Sequence, residues 1–211
     1  MKKPQCGRGP SGFTLIEMLV VMVLMIALLL FAVPAFQTYV RQGKLWGVAN
    51  QTKTLMQLAR LEAVRRTCPT IIRIVEEDPL KGDPAQVEGF VDCDGDGVAD
   101  ADMPPTLGSF PLPSGVFLLA PPDREGADSV GKLSPDPAGG DAKVAIFLPR
   151  GEIDEIGGFR FGDDRGNFLE VWVEPMASGR PEIYKCRVCT DAENRADWYA
   201  GGAGGEAWIW K

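Results

Sequence analysis

The sequence predicts an α+β fold: a long N-terminal helix, half membrane-spanning and half amphipathic with a kink near Pro34, packed on an antiparallel β-sheet or sandwich. Three observations predict it. Residues 13–33 are apolar apart from Thr14 and Glu17. Leu45, Val48, Thr52, Leu55, Met56, Ala59 and Ala63 then recur at helical steps of three and four. From Thr70 onward, short runs of alternating residues are separated by clusters of Gly, Pro and Asp.

At about 1.5 Å per helical residue, the segment 13–33 extends about 31 Å, close to the thickness of a hydrocarbon core. Lys2, Lys3 and Arg8 precede it, and cations there hold an N-terminus on the cytoplasmic side. Glu17 is its single charged residue. A carboxylate in hydrocarbon costs about 3 kcal/mol, so a spanning helix keeps one only where it finds a partner. A secretory signal has a shorter apolar region with its cleavage site behind it. Here the Gly12-Phe13 junction comes in front, so the apolar segment is retained.

Past Pro34 the pattern becomes amphipathic, with Lys53, Gln57, Arg60, Arg65 and Arg66 off the apolar stripe. A proline inside a helix removes one hydrogen bond and crowds the preceding turn, which is the reason to expect a kink. Gly43 and Gly47 are further soft points, at up to about 1 kcal/mol each relative to alanine. Cys68-Pro69 ends the helix, because the residue before proline is pushed out of the helical region. Arg65 and Arg66 read as a solvated helix end that complements the negative pole of the helix dipole.

In the remainder, Ile72 and Ile74 alternate with Arg73, Val144, Ile146 and Leu148 with Ala145 and Phe147, and Leu169, Val171 and Val173 with Glu170 and Trp172. Each run is expected to have one inward face. Residues 104–113 and 121–141, rich in Gly, Pro and Asp, read as loops.

The stretch Gly12-Phe13-Thr14-Leu15-Ile16-Glu17 behind a short basic leader resembles the type IV pilin and type II secretion pseudopilin superfamily, and Pro34 falls where pilins have their kink. The resemblance implies that a prepilin peptidase cuts between Gly12 and Phe13 and N-methylates Phe13. It also implies that Glu17 pairs with the N-terminal amine of a neighbouring subunit. The implied organisation is a cleaved leader (1–12), a transmembrane helix (13–33), an amphipathic helix continuing into the globular domain (34–67) and a periplasmic β domain (68–211). Ala59, Arg60, Glu62, Ala63, Arg65 and Arg66 narrow the resemblance to the GspH/FimT branch, as do the segment 144–151 and Ser178-Gly179-Arg180 before a late strand. The glycine-rich tail from Ala192, ending in Trp208-Ile209-Trp210, departs from that branch.

What the branch implies is a minor pilin that packs through its N-terminal helix into the tip or priming complex of a type IV pilus. The alternative is a minor pseudopilin of type II secretion. Implied partners are other minor pilins or pseudopilins, the major pilin and prepilin peptidase. The implied location is the inner membrane before assembly and the filament tip afterwards.

Charge and composition bound the other classes. Losing the three cations of the leader leaves −10 on the remaining side chains, which makes generic nucleic-acid binding unfavourable. Arg180, Lys185 and Arg187 are outweighed in the tail by Asp191, Glu193, Asp197 and Glu206, against a DNA-uptake pilin. Trp198, Tyr199, Trp208 and Trp210 would suit an adhesive tip but are explained as well by core burial. The chain has no histidine, so triad and histidine-metal chemistries lack their usual base or ligand, and no enzyme is expected.

Residues 92–102 carry aspartates at the first, third, fifth and ninth places and glycine at the sixth, the ligand spacing of a calcium loop. Asp92, Asp94, Asp96, Asp100 and the Val98 carbonyl are the candidate ligands. Met103 stands where an EF-hand has its bidentate glutamate, and aspartate and glycine are also ordinary turn formers. No cofactor is required, with calcium the one candidate. Cys6 leaves with the leader, and Cys68, Cys93, Cys186 and Cys189 remain as an even set suited to an oxidising compartment. The preferred pairing is Cys68 with Cys93 and Cys186 with Cys189. The second bond requires a strand to end between its cysteines, since residues three apart on a strand face opposite sides.

Overall fold

The structure, a computed structural model, describes residues 13–75, 84–99, 107–118, 130–131, 133–139, 143–186 and 198–200. The chain divides into two compact units, Met1–Val40 and Arg41–Lys211. One helix, α1 (Leu15–Arg66), runs from the first into the second and continues through Pro34. The fold is α+β as expected. In the first unit the helix is long and apolar enough to cross a membrane, and its large apolar side chains from Phe13 through Val40 are exposed.

Among the described residues of the second unit eleven strands follow: β1 (Thr70–Val75), β2 (Gln86–Val91), β3 (Gly108–Pro111), β4 (Val116–Leu118), β5 (Val130–Gly131), β6 (Ser134–Pro135), β7 (Lys143–Phe147), β8 (Gly157–Asp163), β9 (Phe168–Val173), β10 (Pro181–Cys186) and β11 (Trp198–Ala200). They form two antiparallel sheets, ordered β3-β2-β1-β7-β6 and β11-β10-β9-β8-β4, with β5 also pairing β8. Helix α1 closes both. Leu45, Val48, Ala49, Leu55, Met56, Ala59 and Ala63 pack in one cluster with Ile72, Val87 and Phe147 of the first sheet and Phe159, Phe161, Leu169, Val171 and Ile183 of the second. Every residue of the predicted stripe is buried, Thr52 included, its hydroxyl donating to the Val48 carbonyl at 3.0 Å.

The helix stops at Arg66, and Thr67 takes a left-handed φ of 56° that turns the chain toward β1. Two bonds hold this reversal: the Thr70 hydroxyl donates to the Ala59 carbonyl at 2.9 Å, and the Asp92 amide donates to the Pro69 carbonyl at 3.0 Å. Within the second sheet, Gly158 is required by close approach. A Cβ at Gly158 would lie 2.1 Å from the Val171 carbonyl oxygen, so any side chain there would push β9 off β8.

Two expectations are corrected. The stretches 104–113 and 121–141, read as loops, contain β3, β5 and β6; these strands are only two to four residues long, and β3 and β6 are outermost in their sheet, where proline is tolerated because one row of backbone groups needs no partner. The runs also do not have a single inward face. All of β8 and β9 is buried on both faces, and in the first sheet Ile71, Phe90 and Val144 form a separate buried cluster with Ala99 and Ile146. Alternation identifies a strand, but whether its second face is also buried depends on what packs over it in the tertiary structure.

Candidate functional site

At the start of α1, Gly12 and the leader lie outside the described residues, and Phe13 is 76% exposed. The Thr14 hydroxyl accepts the Glu17 amide at 3.3 Å, which caps the helix and supplies one of its four orphan donors with a partner. The sequence reading missed this role, although Thr-x-x-Glu before an apolar run is its recognised signature. Glu17 itself lies in the first turn, exposed, where its charge complements the positive pole of the helix. Among the described residues no cation pairs with it.

The second place is the aspartate loop after β2. Asp92 is 2% exposed, and its two carboxylate oxygens accept three backbone amides: Gly95 at 2.8 Å, Asp96 at 3.2 Å and Gly97 at 3.1 Å. Asp94 accepts the Asp96 amide at 3.3 Å and Asp96 the Val98 amide at 2.7 Å. Gly97, at φ 76°, leaves no room for a side chain, since a Cβ would stand 2.1 Å from the Ala138 amide nitrogen. From β1, Arg73 donates to the Gly97 carbonyl at 3.4 Å, pairs with Glu88 and lies 4.9 Å from the centre of the Phe90 ring.

Of the predicted calcium ligands, Asp92, Asp94 and Asp96 are brought together, with carboxylate oxygens within 4.8 Å of one another. Val98 is exposed in the same loop, and Asp100 lies outside the described residues. The hydrogen bonds to Asp92 are the framework of the loop, and the lone pairs they leave are what a hard cation would use.

Cys68 and Cys93 form the expected disulfide, with Cα atoms 4.8 Å apart, joining the turn after α1 to the aspartate loop. Cys186 is buried in β10, and Cys189, its expected partner, lies outside the described residues. Beside the disulfide, Glu62 accepts from Arg65 at 2.6 Å and Arg66 at 2.9 Å, and these two hydrogen bonds hold its carboxyl below the usual value of 4.5. The two arginines therefore serve one carboxylate at the helix end instead of standing free. Of the weighed DNA-binding cations, Arg180 pairs with Glu182 at 3.0 Å, Lys185 is 2% exposed, and Arg187 lies outside the described residues.

Compared with protein-family models, with curated proteins and with solved structures, the chain matches none.

Sequence reasoning also missed a fully buried ion pair, Arg160 of β8 with Glu170 of β9 at 3.1 Å, on directly opposed positions. The signal was present as opposite charges at matching places across the turn Asp163-Asp164-Arg165-Gly166-Asn167.

Asp92→Ala removes the acceptor of three amides and should destabilise the domain by about 2–3 kcal/mol, with Asp92→Asn intermediate. Urea unfolding of the full chain in detergent gives the magnitude. Hydrogen exchange should show the Gly95, Asp96 and Gly97 amides opening first.

Proposed function

We propose that the chain is a minor pilin of the GspH/FimT kind, anchored by residues 13–33 and packed through α1 into the tip or priming complex of a type IV pilus. The observation that carries the reading is Glu17: one carboxylate on an exposed apolar helix, four residues after the Phe13 that leader removal would make the new terminus. In hydrocarbon that carboxylate is costly alone and is offset by a cation beside it. Cleavage after Gly12 creates such a cation, the amine of Phe13, on every subunit. Pairing Glu17 with a neighbour's amine would offset the burial cost and fix the axial offset between adjacent helices. The apolar surface of the first unit and the sheet domain that begins at the other end of the same helix support this division of labour. Prepilin peptidase, other minor pilins and the major pilin are the partners, and the inner membrane with a periplasmic domain is the location before assembly.

Glu17→Val should still insert, be cleaved and fold its sheet domain, yet lose co-purification with its partner pilins. Membrane fractionation, the size of the processed band and affinity capture read the three parts separately. Recovery of partners at the parent level would assign recruitment to the sheet domain instead.

A calcium ion at Asp92, Asp94 and Asp96 is a second part of the proposal, carried by the convergence of their oxygens within 4.8 Å. Millimolar calcium should raise the melting temperature of the parent by mass action and leave an Asp94→Asn/Asp96→Asn variant unmoved. Equal melting curves would return the loop to a hydrogen-bonded turn.

A further inference from the structure

The disulfide and the aspartate loop occupy one place in the fold, and their juxtaposition has a chemical consequence. Cys93 is exposed and sits between Asp92 and Asp94, whose carboxylates cluster with that of Asp96. Cys68 follows the C-terminus of α1 by two residues, at the negative pole of the helix. Among the described residues, the helix end before Cys68 carries Arg65 and Arg66, both on Glu62, and the cation that reaches the loop is Arg73, which pairs with Glu88 and donates to the Gly97 carbonyl. Among the described residues, Asp92, Asp94 and Asp96 form no ion pair, so the loop that carries the exposed Cys93 bears net negative charge.

We propose that the aspartate loop is an electrostatic guard, making the Cys68–Cys93 disulfide selective against attack by anionic thiols. A thiolate opens a disulfide by in-line attack on one sulfur. Cys93 is the more exposed of the two residues, and attack is taken at its sulfur: the new bond forms to its Sγ, the Cys68–Cys93 bond breaks, and Cys68 leaves as a thiolate that takes a proton from water. A second thiol of the reagent then attacks the mixed disulfide, releasing Cys93 as a thiol and the reagent as its own disulfide, with the two electrons supplied by the two reagent thiols. A reagent carrying an extra negative charge must bring it alongside three carboxylates, whereas a cationic one is drawn in. At contact distances in water each such charge changes the encounter by a few-fold, and salt removes the effect because the site is exposed. The role of the loop is thus to decide which thiol reductants can unlock the joint between the helix end and the first sheet.

The test compares 2-mercaptoethanesulfonate with cysteamine, at equal thiolate concentration, on the full chain in neutral detergent with a chelator present. Rates are read as free thiols released and normalised to each reagent's rate on an uncharged small disulfide. The expected result is about a tenfold preference for cysteamine at low salt, collapsing at high salt. The preference should shrink to near unity at low salt in Asp94→Asn/Asp96→Asn, whose side-chain carbonyls can still accept the Asp96 and Val98 amides. Asp164→Asn, remote in sequence and paired with Arg41, should leave the preference intact. Equal normalised rates in the parent at low salt, or a preference that the double substitution leaves unchanged, would overturn the proposal.

Discussion

The structure depends on the burial of one stripe of α1. Leu45, Val48, Leu55, Met56, Ala59 and Ala63 are common partners of two sheets whose strands, among the described residues, pair within their own sheet. Each strand contributes only a few apolar side chains, and several strands are two to four residues long, too short to be stable in isolation. The small residues of the stripe matter as much as the large ones. Ala49, Ala59 and Ala63 are fully buried, so a larger side chain at any of them would have to displace a strand. The amphipathic half of α1 is therefore a structural member of the domain as well as the continuation of a segment long and apolar enough to cross a membrane.

The same helix has the opposite character toward its start. From Phe13 to Val40 its large apolar residues are exposed, a surface that water does not tolerate at this extent and that a bilayer or neighbouring helices would cover. A single continuous element thus carries two solvents' worth of surface. Thr14 and Glu17 show how its first turn is managed, with one side chain capping the backbone and the other presenting charge where the helix pole is positive. Capping is compatible with the docking role proposed for this turn, because Thr14 serves the Glu17 amide and leaves the Glu17 carboxylate exposed.

Much of this was legible in the sequence, for reasons that differ by element. The helix was readable because period 3.6 and uniform apolarity are local signals, and the stripe emerged residue for residue with only Ala49 overlooked. The three converging aspartates were readable because ligand spacing constrains them, whereas Cys68–Cys93 was a preference among the three pairings that four cysteines allow. Strands β3, β5 and β6 were not, since a two-residue strand has no period and its Gly and Pro content looks like loop. Burial of both faces of β8 and β9 was also hidden, and with it the Arg160–Glu170 pair. Alternation reports that faces differ, and only tertiary structure tells which residues cover them.

The central claim is that this chain enters the membrane by its N-terminal helix and is processed to present Phe13 and Glu17 to neighbouring subunits. Intact-mass and N-terminal peptide mass spectrometry of the protein recovered from membranes tests it most directly. The account predicts a mature chain that begins at N-methylated Phe13 and retains every residue of α1. A chain that keeps residues 1–12, or one cut behind the apolar segment, would contradict it.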